Sequence, residues 1–182
     1  MRYSELPLKG AYIVELDSSE DNRGWFARTY CKNDFKLQIG HDKEWVQMNH
    51  SFTKFKGTIR GMHFQINPHE EIKMIRCIAG AVYDVVIDLR RESSTFLKYF
   101  GVELSAENRK MIYIPEGFAH GFQSLLDNSE LIYHHSEFYK PNFEAGIRYD
   151  DPIVNIKWRL PLSEISERDR QHKSITEQFK GI

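Results

Sequence analysis

The chain contains a long series of short β-forming segments separated by turns. Each segment has the length of a strand and is rich in β-branched or aromatic residues. They read AYIVEL, WVQMNHS, GTIRGMHFQ, KMIRCIAG, AVYDVVIDL, KYFGVEL, KMIYIP, HGFQSLL and ELIYHHSEF. Parallel strands need long, mostly helical crossovers, so this series predicts an all-β sandwich or barrel rather than βαβ units. Helix-forming composition predicts short helices only in SAENRK and in the tail SEISERDRQHKSITEQF.

Length and charge limit the possible organisation. At 182 residues the chain is long enough for one sizeable core and short for two, so we expect a single domain over residues 1–182. The formal net charge of -1 offers no basic surface for a nucleic acid or a membrane. The most apolar window, AVYDVVIDL, is too short to span a bilayer, and the N-terminal MRYSELPLKG lacks the apolar run of a secretory signal. We therefore expect a cytoplasmic protein that binds neither nucleic acid nor membrane.

Polar side chains interrupt several of the predicted strands on faces that would otherwise be apolar. Alternation with a period of two places Gln47 and Asn49 on one face, and it places Lys73 on the face of Ile75. A single inward polar residue is usually explained by a hydrogen bond within the core. Several of them on separate strands predict a polar cavity instead. The residues of this kind are Gln47, Asn49, His63, Lys73, His120 and Tyr133.

One motif raises the question of a bound metal. IPEGFAHGF has the Pro-x-Gly-x-x-His spacing of the second motif of the cupins, in which a histidine on a barrel strand can ligate a metal. The first cupin motif would need a His-x-His pair and a later glutamate, whereas MHFQ offers His63 alone. His69 and Glu70 follow in a loop, and neither they nor Cys31 and Cys77 have a recognisable ligand spacing. We therefore expect a cupin-type barrel without a bound metal.

Motifs along nearly the whole chain, from about Leu8 to about Asp169, follow one another in a specific order. They are DNRGWF, VQMNHS, IRGMHFQ, KMIRCIAGAVYDVVIDLR, LSAENRKMIYIPEGFAHGF, YKPNFEAGIRYDDP and ISERD. In this order and spacing they resemble the dTDP-4-dehydrorhamnose 3,5-epimerase family, metal-free cupins that act on nucleotide-linked 4-keto-6-deoxy sugars. The resemblance implies a cupin-type double-stranded jelly roll with short C-terminal helices, no cofactor, and a homodimer in which an N-terminal strand segment crosses to the partner.

The chemistry of such a sugar requires a base, an acid and a cation in one place. The C4 ketone acidifies the hydrogens on C3 and C5, and an enolate oxygen develops when one of them leaves. The resemblance implies that His63 is the base, oriented by Asp169, that Tyr133 is the acid on the opposite face, and that Lys73 stabilises the enolate. The residues alone favour a helix-surface position for Asp169 and a packed core for Tyr133. An inward Lys73 needs a partner, and an ion pair with Asp84 is compatible with a role at the enolate.

Substrate contacts also follow from the resemblance. It implies that the nucleotide sugar is held by Arg23, Gln47, Asn49, Arg60, His120, Glu144 and Arg168, and that Tyr139 stacks on the base. Arginine suits phosphate because its forked donors match the phosphate oxygens. Strict alternation turns Arg60 away from His63, which predicts either a bulge near Gly61 or a role for Arg60 at the edge of the site. Arg23 is expected to serve the partner's site.

Some positions depart from the family pattern. Arg28 stands where the family has a glutamate that accepts hydrogen bonds, and a guanidinium only donates them. Met48 replaces an acidic residue, and His134 and His135 replace other polar residues. We therefore expect Arg28 to contact the substrate, and we keep open a different base such as guanine, a different sugar, epimerisation at one carbon, or 3,4-ketoisomerisation. Two further function classes are compatible with the fold, namely a non-catalytic sugar-nucleotide binding module and a metal-dependent cupin oxidoreductase.

Overall fold

The computed structural model describes residues 1–182, and most of its regular structure consists of β-strands. The strands are β1 Arg2–Glu5, β2 Tyr12–Glu15, β3 Ser18–Asp21, β4 Gly24–Ala27, β5 Gln47–Thr53, β6 Ile59–Gln65, β7 Lys73–Ala79, β8 Ala81–Asp88, β9 Tyr99–Ser105, β10 Met111–Ile114, β11 Phe118–Ser124, β12 Ser129–His135 and β13 Glu144–Gly146. The helices are α1 Lys32–Ile39 and α2 Glu167–Arg170, and Pro141–Phe143 forms a 3-10 turn. The prediction of an all-β fold is confirmed.

The strands form two main antiparallel sheets and one separate hairpin. The first sheet has the order β1-β2-β10-β7-β12-β5, and the second has the order β13-β6-β11-β8-β9. The hairpin pairs β3 with β4. Strands that are distant in sequence are neighbours in both sheets, as in a double-sheet jelly roll. The inner faces pack on each other through side chains such as Ile75 and Leu131 from the first sheet and Val86 and Phe122 from the second.

The second sheet is covered on its outer face as well. All eight residues of β8 are buried. On one side they meet the first sheet, and on the other they meet an apolar cluster that includes Val154, Ile156 and Ile175 of the C-terminal segment. The C-terminal segment therefore packs across this sheet, and it brings α2 against β6. Neither helix has the length or the apolar content that crossing a membrane requires.

The helix predictions were partly wrong. SAENRK forms a turn instead, because Ser105 and Asn108 exchange hydrogen bonds between side chain and backbone at 3.0 and 3.1 Å. In the C-terminal tail only the four residues of α2 are helical, with Ser166 as the N-cap. The rest of the tail packs on the second sheet in extended and turn conformations, and the Ile175 N–H donates to the Asp151 carboxylate at 2.6 Å. Tertiary contacts thus override the helix-forming composition there.

The sequence did not predict α1 or the strands β1, β3, β4 and β13. Helix α1 buries only Phe35, so its sequence carries almost no apolar periodicity. It ends at Gly40, whose φ of 71° is the left-handed conformation that commonly terminates a helix. The hairpin β3–β4 is exposed at nearly every position, and strands with little burial lack the alternation on which a sequence reading depends.

Candidate active site

A cavity of about 710 Å³ opens between the two sheets. The strands β5, β7 and β12 form one wall, while β6, β11 and the segment around α2 form the other. The structure brings most of the predicted site residues to this cavity. They are Gln47, Asn49, Arg60, His63, Lys73, His120, Tyr133, Tyr139, Glu144, Arg168 and Asp169.

His63 and Asp169 form a dyad at the cavity. His63 lies on β6, and its Nε2 is 2.8 Å from Oδ1 of Asp169 in α2. The other carboxylate oxygen of Asp169 accepts the Gly61 N–H at 3.1 Å. Burial raises the pKa of Asp169, but the hydrogen bond and charge of His63 and the Gly61 N–H outweigh it and lower that pKa to about 2. The carboxylate is therefore charged at neutral pH and holds Nε2–H, which leaves Nδ1 of His63 free to accept a proton.

A β-bulge in β6 settles the position of Arg60. His63 pairs with His120, but Arg60 pairs with Phe122, so β6 has one residue more than β11 over this stretch. The extra residue is accommodated at Gly61, which has a φ of 134°. A side chain at this position would place its Cβ 2.5 Å from the backbone of β11. The bulge brings Arg60 and His63 to the same cavity, so the prediction of a bulge near Gly61 is confirmed.

Tyr133 faces the cavity from the opposite sheet. It lies on β12, and its hydroxyl is 3.1 Å from Oγ of Ser51 on β5. Burial raises the pKa of Tyr133, so its phenol keeps its proton throughout the neutral range. The site therefore holds a proton acceptor on one wall and a proton donor on the other.

The ion pair with Asp84, which was the alternative explanation for an inward Lys73, does not form. Nζ of Lys73 lies 3.1 Å from Glu71 Oε1 and 3.4 Å from the carbonyl oxygen of His63. Asp84 instead accepts a hydrogen bond from His120 at 2.9 Å, and burial raises the pKa of this carboxyl. The reason is topological, since Asp84 and His120 lie on neighbouring strands of the second sheet whereas Lys73 belongs to the first.

Arg168, Glu144 and Tyr139 are linked at the cavity rim. Oε2 of Glu144 accepts hydrogen bonds from the Tyr139 hydroxyl at 2.7 Å and from Arg168 at 2.9 Å. The other amino group of Arg168 lies 3.3 Å from Nε2 of His63. Arg168 thus connects the rim to the dyad and places a positive charge beside the base.

Comparison with known proteins identifies the family. A family model described as dTDP-4-dehydrorhamnose 3,5-epimerase matches residues 5–177. The chain belongs to the dTDP-4-dehydrorhamnose 3,5-epimerase family. A dTDP-4-dehydrorhamnose 3,5-epimerase of Shigella flexneri is 42% identical over 157 residues, which cover 86% of each chain. The crystal structure of a dTDP-4-dehydrorhamnose 3,5-epimerase from Elizabethkingia anophelis superimposes with a TM-score of 0.93 at 36% identity, covering 98% of both chains.

A second activity occurs on this fold. A 3'-monoepimerase from Streptomyces bikiniensis, solved in complex with dTDP-quinovose, is 30% identical with a TM-score of 0.87 and covers 93% of this chain and 85% of its own. Structural similarity to this epimerase family therefore does not fix how many carbons are inverted.

Some residues of this epimerase-family site escaped the sequence reading. Glu71 and Ser51 line the cavity, but Glu71 lies just before β7, where no alternation assigns it to a face. Alternation places His135 on the same inner face of β12 as Tyr133, but nothing in the sequence assigned it a role at the site. Gln65 shares the His63 face of β6 and accepts the Lys140 N–H at 2.6 Å, which anchors the segment that carries Tyr139.

Three side chains at the dyad offer atoms that could ligate a metal. They are His63, Asp169 and His172, and their ligand atoms lie within 4.8 Å of one another. Arg168 lies 3.3 Å from His63 Nε2 and 3.5 Å from Asp169 Oδ1, so its positive charge opposes a cation at this place.

Arg23 and Arg28 do not reach the cavity of their own chain. Arg23 lies in the β3–β4 turn and pairs with Asp21 at 2.6 Å, and its side chain is 90% exposed. Arg28 follows β4 and lies 4.0 Å from Asp34. Both belong to the hairpin segment, which pairs with neither main sheet. The fold therefore does not bring them into contact with substrate bound in the same chain.

Proposed function

We propose that this protein is an epimerase that inverts C3, C5 or both in a dTDP-linked 4-keto-6-deoxy sugar, by deprotonation and reprotonation through an enolate. The observation that carries the proposal is the placement of the His63–Asp169 dyad and the Tyr133 phenol on opposite walls of one cavity. Inversion at carbon requires that one face lose a proton and the other face gain one.

We assign the roles as follows. Nδ1 of His63 removes the proton from the carbon next to the C4 ketone, while Asp169 keeps the ring oriented and stabilises the imidazolium that forms. The Lys73 ammonium stabilises the negative charge that develops on the C4 oxygen. Tyr133 donates its proton to the opposite face of the same carbon. Solvent then resets both groups, so each inverted carbon exchanges one hydrogen with water.

The cavity offers charged and neutral side chains that suit the different parts of a nucleotide sugar. Arg60 and Arg168 are the arginines at the cavity, and they are suited to the diphosphate. Gln47, Asn49 and His120 offer neutral hydrogen-bonding groups, and Glu144 accepts from sugar hydroxyls. Tyr139, half exposed at the rim, is available to stack on the base. The names of the relatives favour TDP as the nucleotide.

We further propose a cytoplasmic homodimer in which residues 1–182 act as one epimerase domain. The exposed Phe26 of the hairpin, together with Met48 and Phe52 on the outer face of β5, is apolar surface that a partner would cover. In such a dimer Arg23 and Arg28 would reach the partner's site. The test mixes Arg23→Ala subunits with His63→Ala subunits. If Arg23 acts in the partner's site, each mixed dimer regains one complete site, and the mixture recovers activity that neither variant has alone.

Solvent exchange tests the reaction itself. The protein is incubated in deuterated water with 4-keto-6-deoxy sugars linked to TDP, GDP or CDP, and deuterium at C3 and C5 is followed by NMR. Exchange at both carbons is the expected result, and exchange at one carbon would make the protein a monoepimerase. A fastest rate with GDP or CDP would move the assignment to another nucleotide. No exchange on any of them by folded protein would refute the proposal.

A further inference from the structure

A buried ionic cluster lies in the cavity wall beside Lys73 and has no role in the steps above. Glu71 and His135 each keep only 10% of the side chain exposed, and Lys73 keeps 9%. Oε1 of Glu71 is 3.1 Å from Nζ of Lys73, and Oε2 is 2.6 Å from Nδ1 of His135. One carboxylate therefore serves two partners through separate oxygens.

The hydrogen bonds of this cluster run in one direction. Because Nδ1 of His135 donates to Glu71, its Nε2 is the acceptor for Nδ2 of Asn49 at 3.3 Å. Oδ1 of Asn49 accepts from Nε2 of Gln47 at 3.2 Å, and Oε1 of Gln47 accepts the Tyr139 N–H at 3.1 Å. The chain of donors thus fixes His135 as the neutral Nδ1–H tautomer and ends at the carboxylate.

The electrostatics of the cluster favour a charged carboxylate. Burial raises the pKa of Glu71, but the charge of Lys73 and the hydrogen bond from His135 outweigh it, so the pKa of Glu71 lies below its ordinary value. A buried ammonium needs such a partner, because removal of one member of a buried pair leaves the other charge uncompensated.

We propose that Glu71 and His135 are positioning residues that hold the Lys73 ammonium at the place where the enolate oxygen develops. His135 anchors one oxygen of Glu71, so the other oxygen stays directed at Nζ. The hydrogen bonds extend from His135 to Asn49 and Gln47, which we place at the nucleotide sugar. Substrate binding and the position of Lys73 therefore depend on the same hydrogen-bond network. This inference rests on the proposed function.

Glu71→Gln is the first test, because it keeps the shape of the side chain and removes its charge. Lys73 acts on charge that exists only in the transition state, so kcat is expected to fall while KM stays nearly constant. A shift of roughly an ångström in a catalytic group costs up to about 100-fold, and we expect a loss of about 10- to 100-fold in kcat. Glu130→Gln is the control, since Glu130 forms a solvent-exposed pair with His50 at 2.7 Å and does not itself line the cavity.

His135 is tested with two variants. His135→Gln retains a donor for Glu71, whereas His135→Leu has none. We expect His135→Gln to keep most of the activity that His135→Leu loses. If both variants lose activity in step with their melting temperatures, the role of His135 is structural and the inference fails.

A spectroscopic readout makes the test independent of turnover. An ammonium held by a carboxylate exchanges its protons slowly enough to give a ¹H–¹⁵N signal at low temperature, and Lys73→Met assigns that signal by its absence. The signal is expected in the unsubstituted protein and in Glu130→Gln, and it is expected to be lost in Glu71→Gln. An unchanged Lys73 signal or an unchanged kcat in Glu71→Gln overturns the inference, as does the absence of the signal from the unsubstituted protein. If no sugar nucleotide exchanges hydrogen, the proposed function fails, and the Lys73 signal still decides the placement of Lys73.

Discussion

Replacement of Asp169 by asparagine would test the dyad quantitatively. The side chain of Asp169 is only 4% exposed, and its Oδ1 lies 2.8 Å from His63 Nε2. An asparagine keeps the size of the side chain, but it removes the charge that stabilises an imidazolium. Its amide group can also donate to Nε2, which favours the tautomer with the proton on Nδ1 and blocks the nitrogen that we assign as the base.

The lowered pKa of Asp169 gives the size of the effect. Its surroundings lower that pKa from 3.8 to about 2. At about 1.4 kcal/mol per pKa unit this is roughly 2 kcal/mol in favour of the charged form, part of which belongs to Gly61 and to solvent screening. The remainder stabilises the imidazolium that forms when His63 takes up a proton. We therefore expect Asp169→Asn to lower kcat by about 10- to 30-fold through charge alone, and by more if the tautomer changes.

The assay is deuterium incorporation at C3 and C5, measured over a range of substrate concentration and pH. We expect KM within about twofold of the unsubstituted value, because Asp169 acts on the transition state rather than on binding. The acidic limb of the kcat/KM profile is expected to move to lower pH. Asp150→Asn is the control, since Asp150 pairs with Arg148 at 2.8 Å away from the cavity. An Asp169→Asn protein with unchanged kcat would refute the role of the dyad.

Three further perturbations probe the acid, the bulge and a buried carboxylate. Tyr133→Phe removes one hydrogen bond and the proton donor, so we expect kcat to fall by at least about 100-fold. The affinity for dTDP, measured by equilibrium titration, should be unchanged. Activity near that of the unsubstituted protein would exclude Tyr133 as the acid. Gly61→Ala is expected to destabilise by more than about 2 kcal/mol in urea unfolding, because its Cβ would meet the β11 backbone. Gly24→Ala has a similar φ but open space around it and should cost less, and equal costs would contradict the packing argument. Asp88 is fully buried, and although burial raises its pKa, hydrogen bonds such as that from Arg90 lower it from 3.8 to about 2. The stability that Asp88 provides is thus present above pH 3.8 and lost as pH falls through about 2. Asp88→Asn should therefore be less stable than the unsubstituted protein at pH 7 and nearly as stable at pH 2. A difference in unfolding free energy that stays constant with pH would refute this reading.

Strand alternation predicted the inner faces of β5, β7 and β12, because those strands have one face in the cavity or core. It placed Gln47, Lys73 and Tyr133 correctly on that face. It could not decide whether Arg60 enters the cavity through a bulge or stays at its edge, since a bulge adds one residue to a strand and reverses the faces beyond it.

Pairing across sheets was beyond a sequence reading. Lys73 and Asp84 lie on strands that are consecutive in the chain, yet the strands belong to different sheets. The bond between Glu71 and His135, which lie 64 residues apart, could not be predicted either, because the sequence does not show that β7 and β12 are neighbours in the first sheet. Asp169 was expected at the site only through the family resemblance, because nothing in a charged helical turn indicates that it folds back on a strand 106 residues earlier.

The distance in sequence between His63 and Asp169 also has a meaning for synthesis. A ribosome completes all of the strands before the residues of α2 emerge, and chains begin to fold while they are being made. A nascent barrel would hold the histidine without the carboxylate that orients it. Proton abstraction at the full rate therefore requires that the C-terminal segment has docked, which makes full catalytic competence one of the last properties that the growing chain acquires.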